Sequence, residues 1–97
     1  MLKSFIIYLV QSKLYYYVGS TTQSLARRME GHRSRSGKSP IYPLYKAGVQ
    51  FFWTSLENSV GEPFQIIEAE TFWLEELLRV EPRICLNRKN PDGTQWS

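Results

Sequence analysis

Two runs rich in β-branched and aromatic residues, Phe5 to Val10 and Leu14 to Val18, are separated only by Gln11-Ser12-Lys13. Two such runs across so short a polar break read as a β-hairpin. Gly19 is expected to end the second strand. Ser20, Thr21, Thr22 and Ser24 then offer N-caps for a helix through about Arg35, weakened by Gly31. The polar stretch Ser34 to Pro40 reads as a loop, and Pro43 to Ala47 as a short helical turn ending at Gly48. Val49 to Leu56 suits a third strand and Asn58 to Glu62 a turn. Pro63 suits the first position of a helix to about Val80, stopped by Pro82. Ile84-Cys85-Leu86 is a short extended piece, and a loose tail follows from Asn90.

The expected order is therefore β-β-α-(α)-β-α. The fold class is α/β of the α+β kind, with a small antiparallel three-stranded sheet flanked by helices. Ninety-seven residues suit one domain, residues 1–89, with a tail at 90–97. The single cysteine, Cys85, cannot form an internal disulfide, and the single histidine cannot build a zinc site. An intracellular location, cytoplasmic or nuclear, is expected. The apolar run at the start is too short for a signal sequence, and no segment approaches a membrane span.

Charge is distributed unevenly. The net charge is +3, and Arg27, Arg28, His32, Arg33, Arg35 and Lys38 crowd into one stretch opposed only by Glu30. The remaining acids lie mostly between Glu57 and Glu81. One phosphate-facing surface is the expectation.

Helical periodicity singles out Glu70. With Ile66 set at zero and 100° per residue, Leu77, Trp73, Leu74, Ala69, Ile67 and Leu78 fill an arc from about −60° to +120°, and Glu70 falls near +40°. A carboxylate inside an apolar arc is costly to desolvate unless a cation or a donor meets it. Either a hard divalent cation or an arginine at the rim of the face would serve. On the first helix Leu25 and Met29 define the inward stripe. Arg28 and His32 lie beside it at an i, i+4 interval, while Arg27 points away. Strand alternation sends Tyr15 and Tyr17 to one face and Tyr16 to the other. Trp53, Phe72 and Trp73 can be read as base-stacking aromatics, although core packing suits Trp73 better.

Taken in order, Ile6-Ile7-Tyr8, Tyr17-Val18-Gly19, Arg28-Met29 four ahead of His32, Glu70 three before Trp73, and Asn87 after an apolar pair resemble the core of the GIY-YIG nucleases. The resemblance spans roughly residues 4 to 88. Two departures are visible: Ile6 stands where the family has a glycine, and the Tyr8–Tyr17 interval is short. The resemblance implies a metal-dependent endonuclease that hydrolyses DNA phosphodiester bonds. It implies one magnesium or manganese ion on Glu70, Arg28 clamping the scissile phosphate, and Tyr8 and Tyr17 handling water or a phosphate oxygen. His32 would relay a proton or touch phosphate, and Asn87 would hold the cleft and contact tyrosine or substrate. Lys13, Arg27, Arg33, Arg35 and Lys38 would meet the DNA backbone. The family often carries a separate DNA-recognition domain, so a specificity domain or partner protein is expected. Two alternatives remain: an inactive nucleic-acid-binding module of the same fold, and a small basic RNA-binding or protein-interaction module.

Overall fold

A computed structural model describes residues 1–33 and 39–87. The order of elements is β1 (Lys3–Gln11), β2 (Tyr15–Thr21), α1 (Leu25–Arg33), α2 (Ile41–Lys46), β3 (Phe52–Gly61), α3 (Pro63–Val80) and β4 (Ile84–Cys85). The tail at 90–97 and the basic residues Arg35 and Lys38 lie outside the described residues. Among the described residues no helix is long and apolar enough to cross a membrane.

The hairpin is present, with Leu9 opposite Val18 and Tyr8 opposite Gly19. The sheet has four strands rather than three, in the order β3-β1-β2-β4. The fourth is the short piece at Ile84–Cys85, which runs parallel to Tyr15–Tyr16 and makes the sheet mixed. Two residues carry no periodicity, so only tertiary pairing reveals them as a strand. Two further expectations are corrected. β2 does not end at Gly19 but continues to Thr21, because Ile6 and Ile7 of β1 go on pairing with it. β3 starts later and runs through Asn58 and Ser59 to Gly61, where a turn was expected. The ladder to β1 shifts register between Ile7 and Tyr8, which lets one strand absorb an extra residue and keep pairing.

β1 is central, and its alternation feeds two cores. Phe5, Ile7 and Leu9 join Tyr16, Val18 and Leu74 beneath α3, with Ile66, Ala69, Trp73 and Leu77 packed around them. Tyr8 and Val10 join Ile41 on the other face, with Ile6, Tyr17, Leu25 and Trp53. A strand buried on both faces explains the near-continuous apolar run in β1. α3 has the expected bounds. Pro63 opens it, and a capping box links Glu62 and Gln65, whose Oε1 accepts the Glu62 backbone N–H at 2.7 Å. The short helix α2 precedes Gly48, whose φ of 99° favours glycine.

Candidate active site

α1 is positioned by Ser24, whose Oγ accepts the backbone N–H of Arg27 at 3.3 Å. The helix then packs on the sheet along Leu25, Arg28 and His32. Met29 is only half-buried, and His32 is the one buried residue of the helix. The inward line is thus largely polar. A buried polar line persists only where its groups find partners, and here they do. The Tyr8 hydroxyl lies 2.7 Å from His32 Nε2, and Arg28 Nε donates to the Tyr8 oxygen at 3.1 Å. His32 Nδ1 meets the Ser39 hydroxyl, which also accepts the Ile41 backbone N–H at 3.1 Å. Tyr17 stands edge-on to His32 with ring centroids 5.2 Å apart, and Trp53 lies against both His32 and Tyr8 at 5.4 and 5.7 Å.

Gly19 makes this arrangement possible. A Cβ there would collide with the Tyr8 hydroxyl and ring carbon. The glycine of the second strand is therefore the floor on which the first-strand tyrosine lies.

The edge of β2 brings the second helix to the same place. β4 pairs only with Tyr15 and Tyr16, and Leu86 donates one more backbone bond to the Tyr16 carbonyl. Asn87 then replaces a strand residue with its side chain. Its Oδ1 accepts the Val18 N–H at 2.9 Å, and its Nδ2 donates to the Val18 carbonyl at 2.7 Å. Beyond that point alternation turns Ser20 toward α3, where its hydroxyl lowers the Glu70 carboxyl against the effect of burial. Arg28 reaches the same edge from α1, bonds Tyr8 through Nε, and lies close enough for its charge to act on Tyr17. A hollow of about 370 Å³ opens there, lined by Ser20, Thr21, Thr22, Gln23, Arg28 and Ile66. Glu70 is one helical turn beyond Ile66.

The electrostatics follow from burial. Desolvation raises the Glu70 carboxyl above its ordinary range, and the Ser20 hydroxyl and the Arg28 charge offset this only in part. Desolvation also raises Tyr17, reinforced by the Glu70 charge and opposed by Arg28. Tyr8 is raised too, first by burial and then by Tyr17. Both phenols are therefore held protonated, and neither is poised as a phenolate. Burial and the nearby Arg28 charge pull His32 down to about 4.

That last shift predicts an acid sensitivity. A histidine whose folded pKa lies below its unfolded value of 6.5 binds protons more tightly when unfolded. Its contribution is intact above pH 6.5 and is lost as pH falls toward 4, up to about 3 kcal/mol. Glu70 acts in the opposite sense, because its raised pKa favours the fold as it protonates. Urea unfolding of wild type and His32→Gln between pH 7 and 4 should show a steeper loss in the wild type. Parallel curves would contradict a neutral buried histidine.

The sequence-derived residues thus separate into groups. Tyr8, Tyr17, Arg28 and His32 come together, and Glu70 on α3 is near enough for its charge to act on Tyr8, Tyr17 and Arg28. Arg27 and Arg33 are exposed on α1, and the Arg33 guanidinium lies 5.5 Å from the centre of the Tyr45 ring. Lys13 is exposed in the hairpin turn, four residues from Tyr17, or about 13 Å along an extended strand. Asn87 is 8% exposed with its amide spent on the Val18 backbone, so it presents nothing to a DNA strand. His32 is not a phosphate contact in this geometry, being 2% exposed beneath the helix. Ser20 and Ser39 were not singled out as site residues. Ser20 was read only as a helix cap, and its outward turn toward α3 follows from β2 continuing past Gly19. Ser39 has no sequence signal beyond its place before Pro40.

Among the described residues no three histidine, cysteine, aspartate or glutamate side chains gather as a metal cluster. One carboxylate is still compatible with magnesium, which keeps most of its waters and takes phosphate oxygens from substrate. The desolvation of Glu70, only partly offset by Ser20 and Arg28, fits such a cation. Trp73, by contrast, packs in the core and donates to Glu57 Oε1 at 3.0 Å, while Phe72 is exposed. Compared with known proteins, the chain matches no family model, no curated protein and no solved structure.

Proposed function

We propose that the chain is a GIY-YIG-like nuclease domain that hydrolyses DNA phosphodiester bonds. The observation that carries this reading is the convergence of Arg28, Tyr17 and Glu70 at the edge of β2, beside a polar hollow. Arg28 lines the hollow, and Tyr17 and Glu70 stand close enough to it for their charges to act on one another. Arg28 offers its guanidinium to a phosphate and offsets charge that develops on it. Tyr17 is half-buried beside Tyr8 and His32 with the Arg28 charge nearby, and in this reading its hydroxyl aligns the attacking water or a phosphate oxygen. Tyr8 is fully sealed, with 0% exposure, and its part is to fix Arg28 and His32. Glu70 would hold one magnesium or manganese ion, with Ser20 orienting the carboxylate. When bound, the ion polarises the phosphoryl group and stabilises the leaving 3′-oxygen. Arg27 and Arg33 supply outer backbone contacts. An intracellular setting and a separate specificity domain or partner protein complete the reading.

Tyrosine-to-phenylalanine variants test it, since each removes only a hydroxyl. Tyr17→Phe should slow nicking of supercoiled plasmid at least about tenfold while the melting temperature scarcely moves. Tyr8→Phe should slow it too, through a displaced Arg28. Tyr16→Phe is the control, because Tyr16 packs on the opposite face beneath α3. Equal rates for all three would reduce the tyrosines to packing.

One observation favours a second reading. Tyr8 and His32 are sealed, and both phenols are held protonated. A domain in which this network only braces a basic helix would bind nucleic acid without cutting it. DNA binding without any metal-dependent nicking would select that alternative.

A further inference from the structure

Four side chains form a continuous hydrogen-bonded line: Arg28, Tyr8, His32 and Ser39. It starts at the hollow beside β2 and ends where the chain enters α2. The direction of each bond can be worked out from its ends. Arg28 Nε can only donate, so the Tyr8 oxygen accepts there. The Ile41 backbone N–H can only donate, so the Ser39 oxygen accepts at the other end. Two assignments remain for His32.

If Nε2 carried the proton, the Tyr8 oxygen would accept from both Arg28 and His32. The phenol hydrogen would then be left over in a fully buried position, and a buried donor without a partner is expensive. If Nδ1 carries the proton, the Tyr8 hydroxyl donates to Nε2 and Nδ1–H donates to Ser39. The only hydrogen left over is then that of Ser39, which is half-exposed and can reach solvent.

We infer that Ser39 is a positioning residue for the phosphate clamp: its hydroxyl holds His32 as the neutral Nδ1–H tautomer, His32 thereby orients the Tyr8 hydroxyl, and Tyr8 fixes Arg28. The inference rests on the nuclease reading only for its consequence in cleavage. The other groups facing His32 leave the assignment intact. Tyr17 and Trp53 meet it through their rings, and the Arg28 charge disfavours a second ring proton. Glu70 acts on this set only through Arg28 and the two tyrosines. A serine remote from the hollow thus supplies the acceptor that the Nδ1–H tautomer requires, and with it the arrangement that seats Arg28 on Tyr8.

The chain contains one histidine, so nitrogen-15 NMR of the imidazole reports on His32 alone. Wild-type protein at pH 7 should show a protonated Nδ1 and a bare Nε2. Ser39→Ala should move the population toward the Nε2–H tautomer, and Ser39→Thr, which keeps the hydroxyl, should restore the wild-type pattern. A wild-type spectrum with Nε2 protonated would overturn the inference, as would a tautomer that ignores Ser39→Ala. The wild-type spectrum decides even if the alanine variant fails to fold. In plasmid nicking, Ser39→Ala should lower kcat about tenfold with KM little changed, and Ser39→Thr should recover it. The spectrum needs no DNA, so a chain that never cuts counts against the nuclease reading while the tautomer still decides the role of Ser39.

Discussion

Glu70→Gln should abolish cleavage, by at least about 1,000-fold or near 4 kcal/mol in the transition state, while leaving the fold and most DNA binding intact. The amide keeps the shape of the side chain and can still accept from the Ser20 hydroxyl. It loses the charge that a divalent cation requires. Stability should hold or rise. The carboxyl pKa is raised in the fold, so the protonated group favours the fold below its unfolded pKa, and that contribution is lost as pH climbs through the folded value. At neutral pH the wild type therefore carries a desolvated charge that the amide does not. Thermal melting beside a nicking assay measures both parts. Wild-type nicking by a folded Glu70→Gln protein would remove the metal-ligand role.

The neighbouring arginines should behave differently. Arg28→Ala should lower the cleavage rate at saturating enzyme by at least about 100-fold, near 3 kcal/mol. It removes the guanidinium from the hollow and also takes a donor from the buried Tyr8 oxygen. Arg28→Lys should rescue little, because an ammonium cannot hold Tyr8 through Nε and present a planar pair of donors to phosphate. Arg27 is exposed and donates only its backbone N–H to Ser24. Its alanine variant should chiefly weaken binding and reduce the salt slope by about one. If Arg27→Ala lost the chemical step while Arg28→Ala kept it, the orientation of α1 would be wrong in function.

Much of this arrangement was legible in the residues. The hairpin and the bounds of α3 follow from local pattern and from Pro63. Alternation separated Tyr17 from Tyr16, and helical spacing separated Arg28 from Arg27 and turned Glu70 inward. What failed did so where the signal is not local. A strand through Asn58 and Ser59 looks like a turn until its pairing with β1 is known. β4 exists only because Tyr15 and Tyr16 offer an edge. Asn87 acts as a strand surrogate through its side chain, which no propensity encodes. Hydrophobic periodicity put Met29 on the inward stripe because it counts apolar residues. It could not foresee that α1 buries a histidine, since that burial is stabilised by Tyr8 on β1 and by Ser39 beyond the end of the helix. The polar line is the part of the molecule that pattern reading misses, and it is also the part the proposed chemistry uses.

The most direct measurement is nicking of supercoiled plasmid by purified protein, with and without magnesium, beside Glu70→Gln. The account predicts open-circular product from the wild type only when magnesium is present, and none from the variant in either condition. Nicking that is indifferent to magnesium, nicking that survives in Glu70→Gln, or no nicking by a folded, DNA-binding wild type would contradict it.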